Sequence, residues 1–377
     1  MTQRKVRTGV IGCGKVGHFH ADCYAKSPLS EFAGVYSRNY EKAAAFAAQY
    51  GVKAYHSIEE MAADGVEAVS ICTPHPQHRG VAVEAAQRGM HLLIEKPVAS
   101  SLEDCDAILD AVHAAGVIGS TVCQRRFYEP SKRIRAAIDA GKLGAPILGT
   151  VSMYGWRGMD YYSADPWRGT WEGEGGGVLV NQAPHQIDLL LWYMGEVEEV
   201  YGAWATLNHP KLEVEDTAVA VIRFKSGALG TIVVSNSQNP ALYGNVHVHG
   251  SNGASVGVQT DGGSMFIAGM SQITEPPVLD LWTVPGEQEL LPELVRQDSE
   301  AFLGLPDFMH HYHLEQVNDF LGAILEGRRP LITLEDGRKT VELFTAIYRS
   351  NRDRMPVRFP LKPENGTDFD GRLAAKK

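Results

Sequence analysis

Two separated segments of this chain carry groups able to move a proton beside apolar neighbours. One is Ile94-Glu95-Lys96-Pro97; the other runs Gly175-Gly176-Gly177-Val178-Leu179-Val180-Asn181-Gln182-Ala183-Pro184-His185-Gln186-Ile187-Asp188. A lysine and a histidine that meet over one substrate form a general acid–base pair. Lys96 follows the strand-like run His91 to Ile94, so it stands at a carboxyl end, where ligands of open parallel sheets bind. Pro97 removes a backbone donor there and fixes the chain direction. Asn181 reads as a helix N-cap, with Pro184 in the first turn where its missing N–H costs little. His185 and Asp188 then share a helix face, with Asn181 one turn behind His185. An imidazole, a carboxylate and an amide are expected to converge, which suits a histidine base whose partner fixes its tautomer. The expected catalytic set is Lys96, His185, Asn181 and Asp188.

A second chemistry sits at the N-terminus. Gly12-Cys13-Gly14-Lys15-Val16-Gly17 follows one apolar run and opens a helical stretch. The first glycine permits the turn, the second lets backbone approach a pyrophosphate, and the third lets the helix pack close to its sheet. Where an acidic residue would hold the adenosine ribose, the second strand ends in Ser37-Arg38. Without a carboxylate there is no repulsion of a 2'-phosphate, and an arginine can pair with one or stack on adenine. NAD and NADP are both compatible with this site.

The elements that must position these groups follow from periodicity. From Val6 the chain alternates short apolar runs with amphipathic stretches, the rhythm of strand and crossover helix. Strands are expected at Thr8–Ile11, Phe32–Tyr36, Ala68–Cys72, His91–Ile94 and Val117–Thr121, with helices over Glu41–Gln49 and Val81–Arg88. Beyond Val122 longer alternating strands appear, as in Ala218–Phe224, a Ser226-Gly227 turn and Leu229–Val234. They predict a mostly antiparallel sheet with one covered face, and two late helices, His313–Glu326 and Glu335–Arg349, complete that unit. The reading is α/β: a dinucleotide-binding Rossmann domain over 1–124, and an α/β substrate-binding and oligomerisation domain over 125–377. The last dozen residues read as a polar tail.

Composition narrows the function classes. A chain of 377 residues is long enough for two domains, and its net charge of -10 disfavours nucleic acid as a partner. No run of about 18 apolar residues suggests a membrane span, and the N-terminus does not read as a signal peptide. Five cysteines at irregular spacing match neither a zinc ribbon nor a disulfide framework, so reduced thiols in a cytoplasmic protein are expected. Met309-His310-His311-Tyr312-His313 lacks the spacing and nearby acid of a zinc site, and no metal is expected. Aromatic faces and arginine forks for a carbohydrate are offered by Arg125-Arg126-Phe127-Tyr128, by Trp156-Arg157 with Asp160-Tyr161-Tyr162, and by Trp167-Arg168.

The fingerprint, Thr73-Pro74-His75-Pro76-Gln77-His78, the Glu95-Lys96-Pro97 triplet and the Gly175 to Asp188 segment together resemble the Gfo/Idh/MocA oxidoreductases over most of the chain. The resemblance implies a Rossmann domain followed by an α/β domain with an open, mostly antiparallel sheet, with substrate between them. It implies that Lys96 and His185 are catalytic. Gly12, Gly14, Gly17, Thr73, Pro74, His75, His78, Glu95 and Lys96 would line the cofactor. The family pattern has aspartate four residues before the histidine, where this chain has Asn181, so the base role goes to His185 and Lys96 polarises the hydroxyl. The expected reaction is hydride transfer from a secondary ring hydroxyl of a sugar, glycoside or cyclitol. An alternative is redox-neutral glycoside cleavage through a 3-keto intermediate, with Tyr128, Tyr162, Asp160, His310, His311 or His313 as the extra base. A third reading is a non-catalytic nucleotide-binding sensor. A homodimer or higher oligomer through the open sheet is expected.

Overall fold

Short buried apolar runs joined by amphipathic helices satisfy their backbone groups best as a parallel sheet covered on both faces. The computed structural model describes residues 4–242, 244–260 and 276–373, and builds such a sheet first. Strands β1 (Val6–Ile11), β2 (Ser30–Tyr36), β3 (Lys53–Tyr55), β4 (Ala68–Ile71), β5 (His91–Ile94) and β6 (Gly119–Thr121) are all parallel, in the order β3-β2-β1-β4-β5-β6. Helices α1 (Lys15–Lys26), α2 (Tyr40–Tyr50), α3 (Ile58–Ala63), α4 (His78–Gln87) and α5 (Leu102–Ala115) connect them. This is the doubly wound Rossmann order, and it reverses between β1 and β4, where such folds bind their ligands. The three-residue β3 is too short to show a period, so sequence patterning missed it.

The chain divides into two compact units: Met1–Gln124 with Met309–Arg338, and Arg125–Phe308 with Lys339–Lys377. A linear division at 124/125 therefore misplaces one late segment. The reason is burial: in the helix Phe308–Glu326, Val317, Phe320 and Leu321 pack into one apolar cluster with Val6, Val10 and Tyr24. Gln316 fastens the same helix, donating to the Thr121 carbonyl at 2.6 Å and accepting from the Cys123 N–H at 3.1 Å.

In the second unit, strands β7 (Pro146–Tyr154), β8 (Val197–Ala205), β9 (Thr217–Phe224), β10 (Leu229–Ser235), β11 (Asn245–Gly250), β12 (Ser255–Gln259), β13 (Val278–Trp282) and β14 (Val357–Arg358) form a mixed sheet. Its order is β13-β12-β11-β7-β10-β9-β8-β14, antiparallel except for the β7–β10 pair. Alternation decides which face is covered: in β9, Ala218, Ala220, Ile222 and Phe224 are buried while Val219 and Val221 are exposed. On the covered face lies the helix Pro184–Met194, so close that a Cβ on Gly149 of β7 would fall 2.7 Å from Leu190.

The expected polar tail is a packed segment as far as the described residues extend. Asp370 and Arg372 are buried, and Arg349 Nη2 donates to Asp370 Oδ1 at 2.8 Å. Phe369 and Asp370 take positive φ of 50° and 57°, followed by Gly371 at 72°, a left-handed run that side chains rarely adopt unaided.

Candidate active site

The three fingerprint glycines are required for three different reasons. Gly12 has φ +111°, and a Cβ there would lie 2.6 Å from the Cys72 carbonyl oxygen. A Cβ on Gly17 would lie 2.1 Å from the Gly12 oxygen, so that glycine sets how closely α1 meets the strand. Around Gly14 there is nothing within 4 Å, which leaves backbone open to an approaching group. Side chains cap α2, α3 and α5 through Asn39, Ser57 and Ser101, and acidic residues occupy their first turns. Helix α1 has neither a capping side chain nor a first-turn acid, so its first N–H groups and its positive end are left for an anion. That donor set fits the pyrophosphate of a dinucleotide.

Lys15 is exposed at the start of α1 and Val16 is half-buried. Ser37 and Arg38 lie beyond β2, with Arg38 exposed. Thr73, Pro74 and His75 follow β4, and Thr73 Oγ1 is buried without a hydrogen-bond partner among the described residues. His78 differs from the expectation. It is fully buried, with Nε2 2.8 Å from the Thr73 carbonyl and Nδ1 3.1 Å from those of Pro97 and Val98. Its imidazole is a strut between two loops, because burial forces both ring nitrogens onto backbone oxygens and also lowers its pKa.

Lys96 occupies the turn after β5, half-buried, and Glu95 before it faces inward. Glu95 Oε1 lies 2.9 Å from His20 Nε2, and Oε2 accepts from the Lys96 N–H at 3.1 Å. Burial opposes ionisation of Glu95, but the His20 hydrogen bond and neighbouring positive charge outweigh it and bring the carboxyl down to about 2. His313 was offered by the sequence as an extra base. It is buried, its ring 4.5 Å from Phe19, and burial pushes it down to about 3. His20 and His313 had no spacing signal, since they come from a helix face and from a segment two hundred residues away.

In the second unit the glycine-rich run exists to let other residues come close. A Cβ on Gly177 would fall 1.8 Å from the Glu215 carbonyl oxygen, and one on Gly176 2.3 Å from Tyr348 Oη. Glu215 accepts from the Gly177 N–H at 2.8 Å and the Leu179 N–H at 2.9 Å, capping the short helix Val178–Asn181 from a distance. Burial raises its carboxyl to about 7 against those hydrogen bonds. Arg372 Nη1 donates to the Gly175 carbonyl at 2.5 Å.

Asn181 ends that one-turn helix instead of capping the next, which begins at Pro184 with Ala183 before it. His185 is half-buried in its first turn. The expected convergence separates into two sets of partners. Arg126 holds Asp188, donating from Nε to Oδ2 at 2.8 Å and from Nη2 to Oδ1 at 2.6 Å, with both side chains buried. A buried charge is tolerated only when paired, and Arg126 and Asp188, expected to touch substrate and to catalyse, form such a pair. Asn181 Nδ2 donates to Glu174 and, at 3.2 Å, to Tyr161 Oη.

Tyr161, quoted in the sequence only as one of several aromatic faces, is a hub. Its oxygen also accepts from Arg168 and from Gln182 Nε2 at 3.2 Å, and burial with the Glu174 charge pushes it up to about 12. Arg168 lies 4.3 Å over the Tyr161 ring and 4.4 Å over Trp167, and Arg157 donates to the Trp156 carbonyl at 2.7 Å. Asn236 donates to Tyr162 Oη at 3.2 Å and Gln182 Oε1 at 3.0 Å. The structure thus gathers Arg157, Tyr162 and Arg168 around Tyr161, with Trp167 against Arg168. Tyr128 caps the helix Glu129–Asp139 from a buried position. Gln182 stood within the quoted motif, whereas Asn236 at the end of β10 carried no signal. Among the described residues no group of three His, Cys, Asp or Glu side chains is arranged to hold a metal, and no helix is long and apolar enough to cross a membrane.

Residues 6–122 match the model of the oxidoreductase family with an NAD-binding Rossmann fold, and 131–256 match the GFO/IDH/MocA C-terminal domain. Over 370 residues the chain is 26% identical to a scyllo-inositol 2-dehydrogenase (NAD(+)) of Bacillus subtilis, covering 96% of this chain and 98% of that protein. It is 27% identical to a myo-inositol 2-dehydrogenase of Thermotoga maritima, covering 94% and 98%. The WlbA dehydrogenase of Bordetella pertussis, solved with NADH and UDP-GlcNAcA, superposes with a TM-score of 0.82 at 30% identity, covering 96% of this chain and 100% of the other. With both halves matched and the likeness running end to end, this chain belongs to the Gfo/Idh/MocA family of NAD-binding oxidoreductases.

Proposed function

We propose that this protein oxidises a secondary ring hydroxyl of a sugar, glycoside or cyclitol and passes the hydride to NAD or NADP. The observation that carries the reading is end-to-end likeness to inositol dehydrogenases in a chain whose α1 is uncapped and opened by fingerprint glycines. The first-turn N–H groups of α1 hold the pyrophosphate, and Ser37 and Arg38 take the adenosine ribose with no carboxylate to repel a 2'-phosphate. Bound nicotinamide supplies the hydride acceptor. His185 takes the hydroxyl proton, and Lys96 Nζ donates to the oxygen as its charge develops. Asn181, whose amide cannot take that proton, positions Tyr161 and Glu174. The rings of Trp156, Tyr162 and Trp167 offer faces to sugar C–H surfaces.

Self-association through the open face of the second sheet belongs to the same proposal, supported by exposed Tyr201, Val219, Val221 and Leu229. A cytoplasmic setting is supported by five cysteines that are all free. The test is a panel of inositols, free sugars and nitrophenyl glycosides with NAD and with NADP, followed at once for reduced nicotinamide and nitrophenol. Reduced cofactor without aglycone release is the expected result. Aglycone release without net reduction would replace the reading with redox-neutral glycoside cleavage, and cofactor binding without turnover on any member would replace it with a sensor.

A further inference from the structure

We infer that Glu95 and His20 are positioning residues for Lys96: a buried carboxylate, clamped by a histidine of α1, that fixes the Lys96 main chain and keeps a negative charge beside it. The inference rests on the reading of Lys96 as the group that meets the substrate hydroxyl.

The geometry is one continuous buried chain. Glu95 Oε2 takes the Lys96 N–H at 3.1 Å, while Oε1 sits 2.9 Å from His20 Nε2. An ionised carboxylate only accepts, so His20 Nε2 carries the hydrogen. His20 Nδ1 lies 2.9 Å from Ser70 Oγ on β4, and Ser70 donates to Tyr24 Oη at 2.7 Å, one turn along α1 from His20. His20, Ser70 and Tyr24 are each buried almost completely. The parallel sheet and the glycine turn are complete without this array, and an apolar side chain at each position would spare the fold the burial of a charge. What the array adds is a fixed electrostatic environment one residue from Lys96.

Titratable groups from several elements face Glu95. His20 comes from α1, His313 from the helix Phe308–Glu326, Cys72 from the end of β4, His78 from α4, and Lys96 from its own turn. Burial keeps Cys72 protonated, and His78 and His313 neutral near neutral pH. Glu95 is therefore the negative charge of this cluster, and Lys96 lies beside it. A carboxylate next to an ammonium favours the charged form of the lysine, the form that donates to a developing alkoxide.

The test reads Lys96 directly, without substrate. Competitive acetylation of the full-length protein by acetic anhydride, from about pH 7 to about pH 11, is followed at the Lys96 peptide by mass spectrometry in wild type, Glu95→Gln, His20→Ala and His20→Gln. Glu95→Gln is expected to move the Lys96 midpoint down by about one pH unit, a tenfold change in its proton affinity. His20→Ala moves it in the same direction. His20→Gln, whose amide donates to Glu95 as the imidazole did, stays close to wild type, and this pair decides the matter if Glu95→Gln does not fold. Unmoved midpoints in Glu95→Gln or His20→Ala, with changes confined to melting temperature, would overturn the inference. Lys96→Met tests the underlying reading separately: hydride transfer from myo-inositol or another panel substrate should be lost, and retained transfer would remove Lys96 from the chemistry whatever its midpoint does.

Discussion

The Lys96 turn and the approach to the His185 helix solve the same problem, holding still one side chain to which we assign the chemistry, by opposite means. Lys96 stands with Glu95 where a regular strand ends, and His20 and Ser70 behind them lie on adjacent regular elements. His185 is reached through three glycines and a single helical turn, irregular backbone that has to be fastened from outside by Glu215, Tyr348 and Arg372. A strand end needs only local neighbours, while a glycine-rich turn imports its rigidity from distant sequence.

The largest effect should come from breaking the ion pair behind His185. Arg126→Ala takes the guanidinium from the buried Asp188 carboxylate, a loss of about 3–5 kcal/mol that equilibrium unfolding in urea would register. NADH affinity of whatever folded protein remains should stay near wild type, because the pair lies in the second unit. A variant that unfolds at the wild-type midpoint would mean that Asp188 is not committed to Arg126 and is available to His185 after all.

Glycine substitutions sharpen the comparison. In Gly177→Ala the new methyl meets the Glu215 carbonyl, so the backbone must shift, and hydride transfer should fall at least tenfold, about 1.4 kcal/mol of barrier, while NAD binding survives. In Gly14→Ala the methyl meets nothing in the protein, yet it occupies the space a pyrophosphate needs. Melting temperature should hold and NAD affinity should drop more than about tenfold, roughly 1.4 kcal/mol. Isothermal titration of NAD against both variants checks the pair; equal affinities would show that Gly14 does not face the cofactor.

Arg372 tests whether the C-terminal segment matters to the site or only to itself. Arg372→Ala removes the donor to the Gly175 carbonyl and the cation over Phe344 and Tyr348, at a cost of about 1–3 kcal/mol for the orphaned buried oxygen. The expected signature is a fall in kcat with little change in KM for NAD. An unchanged kcat in a merely less stable protein would confine Arg372 to packing.

Both regions differ again in what the sequence discloses. The fingerprint, the strand ends and the Lys96 triplet were legible because each works through residues next to one another in the chain. The strands of the first sheet followed from periodicity, apart from the three-residue β3. On the other side, Gly175–Gly177 was visible as a motif but its purpose was not, since the close approaches come from Glu215, Tyr348 and Arg372. Asp188 was half legible for the same reason: helical spacing put it near His185, and only the tertiary structure discloses its pairing with Arg126. The polar tail was misread because arginines and aspartates that pair in burial have the composition of solvent-exposed ones.

The last effect is a pH dependence confined to the second region. Burial raises the Glu215 carboxyl to about 7 in the folded protein, above its ordinary value near 4.5. Between those values the folded state keeps a proton that the unfolded chain releases, so stability falls as pH rises through this window, by up to about 1.4 kcal/mol per pH unit. Below it both states are protonated, and above it both are ionised, so the contribution is flat at either side. Glu215→Gln keeps an acceptor for the Gly177 or Leu179 N–H and removes the titration. Urea midpoints of wild type and Glu215→Gln at about pH 5 and pH 7 therefore give a difference that cancels every other group common to both. Wild type should lose more stability across the interval than the variant does. Parallel losses would mean that Glu215 titrates as an ordinary carboxylate and fastens the glycine turn as an anion throughout, which would make the two regions alike in resting on a buried negative charge.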